Sequence, residues 1–303
     1  MLGTLLAAIG CSHPAVPAKV APPPLEFLGA WGTQGEGLGE LVSPCCLAAD
    51  SVGNVFIADV RGSSTVVHKF DPAGHPLLAF YVDGAPRPSS VSVDQAGGIY
   101  LTDRSPGNLY IFFPDGSPVR TIHRISGHAL QSPEGVAVGE SGSIYLTQAD
   151  DNRVLSINSR GRLLESWGTK GDGPGQFSSP SKIVAAPDGS IFVADIGNRR
   201  VEKFQPDGTF VAAWNLPLTD PSPEPGGNKG IALAASEKFV AASDGVSVQI
   251  WTLDGKPSFV ENHLPPVASP EPATPSDIVI APNGDLLVLD APRARVLRFR
   301  VNL

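Results

Sequence analysis

Short apolar strands separated by turn residues recur along the chain with a period of 44 to 48 residues. The clearest strand of each repeat is a five-residue run, and its six copies end at Asp59, Asp103, Gln148, Asp195, Ser243 and Asp290. A third strand follows and, in five repeats, ends four positions before a glycine: Gly74, Gly116, Gly161, Gly208 and Gly255. Short strands at this period are typical of four-stranded propeller blades. The pattern therefore predicts an all-β fold, a six-bladed β-propeller.

The two ends of the repeat array predict how the ring closes. Residues 25–44 closely resemble residues 162–180, which hold the outer strand of blade three and the crossover into blade four. The first copy has no blade of its own, and the last repeat ends after its third strand. We therefore expect residues 25–31 to complete the sixth blade, which pairs backbone groups at an otherwise open edge. Three large residues of this segment are expected to be buried there: Phe27, Leu28 and Trp31.

The repeats resemble the NHL family of six-bladed propellers over residues 25–303. The sharpest copy is residues 180–208, which carry the D-x-x-N-x-R-V pattern at Asp195, Asn198, Arg200 and Val201. Blade three keeps Asn152, Arg153 and Val154 but has Gln148 in place of the aspartate. The resemblance implies a propeller but no single activity, because the family includes binding platforms, receptors and a few enzymes.

The first 24 residues differ in character from the repeats. Residues 1–10 are mainly apolar and precede Cys11, which resembles a bacterial lipoprotein signal, and residues 11–24 are a proline-rich linker. The resemblance implies a diacylglycerol on Cys11 and export to the periplasm or cell surface, with the membrane contacted only through that lipid. An uncleaved N-terminus is the alternative. Ten apolar residues are too few to cross a bilayer, which needs about 20.

The charge of the chain narrows the choice of partners. A net charge of −8 and the lack of a basic run argue against nucleic acid, which is bound by clustered Lys and Arg. We expect a monomer.

Propeller connectivity places the turns after the first and third strands of each blade on one face, here called the turn face, and most acidic residues lie in those turns. The best explanation of this acidity is that these side chains are exposed to solvent, as charged residues on a protein surface usually are.

The opposite face, here called the crossover face, carries the long loops between blades. Loops on a rigid scaffold are where recognition usually occurs, and arginine suits bidentate capture of carboxylates. The candidate binding residues on this face are Arg61, Arg104, Arg153, Arg199, Arg200, Arg293 and Arg295. These arginines can also pair with the aspartates that end the second strands. Those aspartates are predicted to brace turns by accepting backbone N–H bonds: Asp59, Asp103, Asp195 and Asp290.

The start of each inner strand should point at the mouth of the central channel, and a polar mouth can hold water, an ion or a small ligand. The predicted mouth residues are Cys45, Ser89, Glu134, Ser181, Lys182, Lys229, Ser276 and Asp277. Cys45 and Cys46 are adjacent, so they form either a strained vicinal disulfide or two small buried thiols. No second cysteine pair accompanies them, and we expect no metal there.

Enzyme motifs are absent from the sequence. It has no G-x-S-x-G, no H-E-x-x-H and no phosphate-binding loop that opens a helix. An amidating-lyase branch of NHL-like propellers holds zinc with several histidines, but His123 and His128 lie between blades two and three, whereas His263 lies across the ring. We therefore expect no metal and no cofactor.

The sequence favours a non-catalytic module that binds a protein, peptide or glycan. The alternative is a hydrolase or lyase at the channel mouth, with or without a metal ion.

Overall fold

Short β-strands make up nearly all of the regular structure in the computed structural model, which describes residues 23–216, 231–261, 264 and 272–303. A 3-10 turn, Ala291–Arg293, joins the last two strands. In chain order the strands are β1 (Leu25–Trp31), β2 (Thr33–Gln34), β3 (Glu40–Leu41), β4 (Pro44–Ala49), β5 (Val55–Arg61), β6 (Ser64–Phe70), β7 (Pro76–Val82), β8 (Pro88–Val93), β9 (Ile99–Asp103), β10 (Asn108–Phe112), β11 (Pro118–Ile122), β12 (Arg124–Ile125), β13 (His128–Ala129), β14 (Pro133–Val138), β15 (Ile144–Gln148), β16 (Arg153–Ile157), β17 (Leu163–Trp167), β18 (Pro180–Ala185), β19 (Ile191–Asp195), β20 (Arg200–Phe204), β21 (Phe210–Asn215), β22 (Ala232–Ala235), β23 (Phe239–Ser243), β24 (Val248–Thr252), β25 (Pro257–Glu261), β26 (Pro275–Ile280), β27 (Leu286–Asp290) and β28 (Arg295–Val301).

Six antiparallel four-stranded sheets form the blades of the propeller. Blades 1 to 5 are β4–β7, β8–β11, β14–β17, β18–β21 and β22–β25, and in each the chain runs from the inner strand outward. Blade 6 has the order β1-β28-β27-β26, so its outer strand comes from the N-terminal side of the chain. The predicted six-bladed, all-β fold is therefore confirmed.

Closure of the ring depends on the pairing of β1 with β28. Leu25 lies opposite Val301 and Trp31 opposite Val296, in antiparallel register. The predicted closing strand is thus present, but the expected burial was partly wrong. Leu25 is 2% exposed, whereas Phe27 is 37% exposed. Alternation does not separate these two residues, because they lie on the same face of the strand. β1 is instead the outermost strand of blade 6, and its pairing register shifts between Phe27 and Gly29, where Phe27 and Leu28 are both about one-third exposed.

Apolar contacts between adjacent blades hold the ring together. All five residues of β9, β15, β19, β23 and β27 are buried. The buried side chains form six clusters, and each cluster combines residues of two neighbouring blades. The cluster between blades 6 and 1, for example, joins Leu289 and Val296 to Ile57 and Phe70. Each blade thus depends on both of its neighbours for burial of its apolar faces.

The repeated glycine after the third strand has a packing role as well as a conformational one. Gly208 has φ +85, and a Cβ added there would lie 2.6 Å from the ring of Trp167, on the outer strand of the preceding blade. Gly74 is in the same position against Trp31. Similar contacts join Phe80 to Gly116, Ile122 to Gly161 and Trp214 to Gly255. A side chain of one blade therefore covers a glycine of the next around the ring.

Acidic residues on the turn face have a structural role within the turns. Oδ1 of Asp94 accepts hydrogen bonds from the backbone N–H groups of Ala96 and Gly98, at 2.9 and 2.8 Å. The same geometry occurs at Asp50 and Asp71. Such side chains stabilise a tight turn by satisfying its backbone donors. The bonds explain the acidity of this face as turn chemistry, in agreement with the sequence interpretation.

Candidate functional site

β-Bulges shape the mouth of the central channel on the crossover face. In five blades the inner strand opens with a proline, and the pairing register shifts immediately after it, for example between Pro44 and Cys46 and between Pro88 and Ser90. A bulge redirects the side chain of its extra residue and is common beside functional sites. Proline is also tolerated at such positions, because the first residue of a strand need not donate to the ladder.

The bulged segments surround one cavity of about 60 Å³. Its lining includes Cys45, Ser89, Glu134, Ser181, Lys182, Ser276 and Asp277, together with Cys46. The structure thus brings together seven of the eight predicted mouth residues, and Lys229 lies outside the described residues. One water molecule needs roughly 10–15 Å³ of such volume, whereas drug-sized ligands occupy about 300 Å³ or more. The mouth therefore has room for a few waters or a small ion.

A buried ion pair crosses the channel beside this cavity. Nζ of Lys182 in blade 4 lies 2.7 Å from Oδ2 of Asp277 in blade 6. The same oxygen accepts a hydrogen bond from the backbone N–H of Leu47 in blade 1, at 3.0 Å. Burial alone would lower the pKa of Lys182, but the carboxylate of Asp277 outweighs it, and the pKa lies above its ordinary value. Lys182 therefore stays protonated at neutral pH, and the two contacts of Asp277 tie three blades together.

The two adjacent cysteines lie at the same mouth with their sulfurs side by side. The bulge at Cys45 places its side chain near that of Cys46, and the two Sγ atoms are 2.9 Å apart as free thiols. The hydrogen bond with Cys46, followed by burial, raises the pKa of Cys45. Cys45 is thus a poor nucleophile at neutral pH, since the thiolate is the reactive form. The vicinal disulfide stays a prediction.

Glu134 is a carboxyl group at the mouth whose pKa is raised. Burial raises its pKa, against the opposing charge of Arg104, whose Nε lies 2.7 Å from Oε1 of Glu134. Arg104 is thereby paired across the boundary between blades 2 and 3. An acid of raised pKa that borders a small polar cavity is a candidate for proton transfer.

Arg61 holds the first long crossover loop, residues 32–43, in a fixed shape. Its guanidinium donates to the backbone carbonyls of Glu36 and Glu40, each at 2.8 Å. Its Nε also donates to Asp59 at 3.0 Å. One side chain therefore fixes two carbonyls of the loop and one buried carboxylate.

Arg200 does the same for the second long crossover loop, residues 168–179. It donates to the carbonyls of Asp172 and Gln176 at 2.7 and 2.6 Å, and to Asp195 at 2.9 Å. Arg61 ends the second strand of blade 1, whereas Arg200 begins the third strand of blade 4. Two arginines at different places in the repeat thus brace two similar loops in a similar way.

The aspartates that were predicted to end the second strands act as the predicted braces, although in blade 1 the strand continues past Asp59 to Arg61. Asp59 accepts hydrogen bonds from the backbone N–H groups of Val42 and Ser43. Asp103, Asp195 and Asp290 accept corresponding bonds from Arg87, Ser178 and Thr274. Each bond joins the end of the second strand to the residue or residues just before the inner strand. These contacts confirm the bracing role.

The other candidate arginines are spread around the ring. Arg153 contacts Gln148 and Asp151, whereas Arg293 and Arg295 both contact Asp290. Arg199 sits in a turn with φ 52. The seven arginines share the crossover face but belong to five different blades.

Glu202 is a buried acid that the sequence analysis did not single out. Its side chain is fully buried, and Oε1 lies 2.6 Å from Nη2 of Arg200. Burial raises its pKa to about 7, although Arg200 acts in the opposite direction. The sequence signal that could have revealed Glu202 is a charged residue at a strand position whose side chain faces the neighbouring blade. His68 occupies the matching position of blade 1, beside Asp59.

We expect Glu202→Gln to stabilise the protein at pH 8 but not at pH 4.5. The pKa of Glu202 is raised in the fold from its usual 4.5 to about 7, so its favourable contribution is present below pH 4.5 and is lost as the pH rises through 7. The amide removes this loss, which is on the order of 3 kcal/mol at pH 8. Urea unfolding of both proteins at the two pH values checks this, and an equal difference at both would contradict it.

Histidines do not gather at the mouth in the described part of the chain. His68 is buried within blade 1, and His75 pairs with Asp71 on the turn face. His128 is exposed in a hairpin between blades 2 and 3, and His263 lies outside the described residues. No group of three or more His, Cys, Asp or Glu side chains that could hold a metal ion occurs among the described residues. No described helix is long and apolar enough to span a membrane.

Comparison with known proteins identifies the fold class. No protein-family model matches the sequence, and no curated protein matches it. A streptogramin B lyase structure is 13% identical, covers 92% of this chain and 97% of its own, and has a TM-score of 0.62. Catalytically inactive virginiamycin B lyase from Staphylococcus aureus with quinupristin is 14% identical over 92% and 99% of the two chains, with a TM-score of 0.60. The Neurospora crassa Pan2 WD40 domain is 12% identical over 86% and 90%, with a TM-score of 0.57. At this identity the likeness establishes the propeller fold alone.

Proposed function

We propose that the chain is a non-catalytic binding propeller of the NHL type that recognises a protein, peptide or glycan through its crossover face. The observation that carries this proposal is the bracing of the two long crossover loops by Arg61 and Arg200. A loop held in shape before binding loses little conformational entropy on binding, and this favours affinity. The neighbouring structures include both a lyase and a WD40 domain, so the fold is compatible with a scaffold.

The tip of the first crossover loop supplies a suitable contact residue. Leu38 is 61% exposed between the two carbonyls that Arg61 holds. Burial of such an apolar side chain against a partner is worth roughly 1.5–3 kcal/mol, so Leu38 can contribute to binding. Val42 at the base of the loop is also exposed. Recognition by this surface requires no catalytic group.

We expect Leu38→Asp to weaken binding of the physiological partner at least about tenfold, the effect of losing roughly 1.4 kcal/mol. Peptide and glycan arrays probed with the wild-type protein identify the partner, and its affinity is then measured for each variant. Val119→Asp is the matched control, because Val119 is 47% exposed but lies on the outer strand of blade 2 and not on this loop. Equal loss in both variants, or none in Leu38→Asp, would refute the proposed surface.

Export and lipid attachment at Cys11 belong to the same proposal. Cys11 and residues 12–22 of the proline-rich linker lie outside the described residues, so the support is the sequence resemblance to a lipoprotein signal. A linker of this composition would act as a semi-rigid spacer between the membrane and the propeller. The crossover face would then meet partners in the periplasm or at the cell surface.

The second candidate function is that of a lyase at the channel mouth. Glu134 favours it, because burial raises the pKa of this carboxyl beside the cavity. The structural neighbours include lyases, one of them solved with quinupristin. Incubation of the protein with quinupristin, followed by chromatography, separates the two classes. Turnover of quinupristin by the wild type that is lost in Glu134→Gln would favour the lyase. No turnover of quinupristin by the wild type would favour the binding module.

A further inference from the structure

A cleft of about 620 Å³ lies between a short hairpin and the outer part of blade 3. The hairpin consists of β12 and β13, and its walls face side chains of β16 and β17. This cleft, here called the rim cleft, is separate from the channel mouth and from the long crossover loops. Its volume lies within the roughly 300–1,000 Å³ of small-molecule sites.

The hairpin forms a well-defined wall of the rim cleft. Ser126 and Gly127 have φ values of 50 and 83, as a tight two-residue hairpin turn requires. The guanidinium of Arg124 donates to the carbonyl of Gly127 through Nη2 at 2.6 Å and Nε at 3.1 Å. Ile125 and Leu130 are buried against blade 3, so the hairpin is packed in place.

The floor and the rim of the cleft differ in chemistry. Its apolar floor is formed by Ile125, Leu130, Leu155 and Leu163. Its rim carries Arg124 and Arg153 with one acid, Asp151. An apolar floor with a few polar groups at one edge is the usual composition of a ligand site. The rim is locally basic in a chain whose net charge is −8.

The departure at Gln148 explains why this edge is basic. In blades 4 and 6 the corresponding residue is a buried aspartate that pairs with the arginine five positions later, Arg200 or Arg295. In blade 3 the neutral Oε1 of Gln148 accepts the bond from Nε of Arg153, at 2.8 Å. The amide satisfies the donor but does not neutralise its charge.

The remaining acid beside Arg153 compensates only part of that charge. Asp151 lies 2.8 Å from Nη2 of Arg153, but its side chain is 36% exposed. Solvent weakens such a surface pair, which contributes about 0–1 kcal/mol. A positive potential therefore remains at the rim of an apolar cleft, and it favours a ligand of opposite charge.

We propose that the rim cleft binds a small organic carboxylate with an apolar body. The carboxylate would meet the guanidinium of Arg153, with Arg124 on the opposite wall, because arginine pairs with carboxylates in bidentate geometry. The apolar body would cover the floor formed by the leucines and isoleucine. This site is independent of recognition by the crossover loops.

The test measures binding of naphthalene-2-carboxylate to the full chain by calorimetry, with naphthalene-2-carboxamide as the neutral match. The wild type is expected to bind the carboxylate at least about tenfold more tightly than the amide. Gln148→Asp introduces the aspartate found in blades 4 and 6, and it should weaken carboxylate binding about tenfold while amide binding is unchanged. Its melting temperature should equal or exceed that of the wild type, because blades 4 and 6 fold with the same pair.

Two further variants make the result specific. Arg120→Gln removes an exposed arginine of β11 that does not line the cleft, and it should leave both affinities unchanged. Leu38→Asp should also bind the probe normally, so failure of the crossover-face proposal would not affect this one. Equal affinity for carboxylate and amide, no effect of Gln148→Asp, or no saturable binding up to about 1 mM would each overturn the proposal.

Discussion

A chain that begins at Gly35 is expected to lose cooperative thermal unfolding, whereas a chain that begins at Leu25 keeps it. The shorter chain lacks β1, and β28 then becomes an exposed edge with unpaired backbone groups and apolar side chains, which favours aggregation. It also loses Leu25, which is 2% exposed, and the ring of Trp31, whose centroid lies 4.6 Å from that of Phe70.

The expected size of this effect follows from the number of lost contacts. Each well-buried large side chain contributes roughly 1.5–3 kcal/mol, and a typical domain is stable by only about 5–15 kcal/mol. Loss of the strand ladder adds to this. Circular dichroism on heating compares the two chains, with the Leu25 chain as the control. If the Gly35 chain melts cooperatively within a few degrees of the control, closure by β1 is not what holds the ring.

Gly208→Ala is expected to destabilise the protein by about 2–5 kcal/mol. One part of this cost is the strain of a side chain at φ +85, about 1–2 kcal/mol, and the other is overpacking against Trp167, about 1–3 kcal/mol. Gly142→Ala isolates the first part, because Gly142 has φ +77 but no atom within 4 Å of the added Cβ. The free energies of unfolding of the two variants, measured in urea with equal m-values, should differ by about 1–3 kcal/mol. Equal losses would mean that Trp167 moves aside freely.

The architecture was predictable because the repeat carries it. Strands that recur with a period in the forties define the blades, and the duplicated segment at residues 25–31 predicts the closing strand, which pairs with β28 as expected. Burial within that strand was less predictable. Phe27 and Leu28 lie on an outer strand, where the sheet edge leaves them about one-third exposed.

The site was predictable where a local signal marks it. The opening prolines indicate the start of each inner strand, and the residues after them line one cavity. The equivalent roles of Arg61 and Arg200 were not predictable, because the two residues occupy different positions in the repeat and only the folded loops bring the guanidinium groups to similar places. The hairpin of β12 and β13 also escaped prediction, since two-residue strands are too short to show alternation.

The joint between β1 and β28 has a mechanical consequence. Leu25 lies opposite Val301, and the backbone N–H of Asn302 donates to the carbonyl of Pro24 at 2.9 Å. A pulling force that reaches the propeller through residues ahead of Pro23 therefore acts first on one end of this strand pair. Antiparallel strands loaded in this way peel apart one hydrogen-bonded pair at a time. The ring would therefore open first at this joint, between β1 and β28 of blade 6.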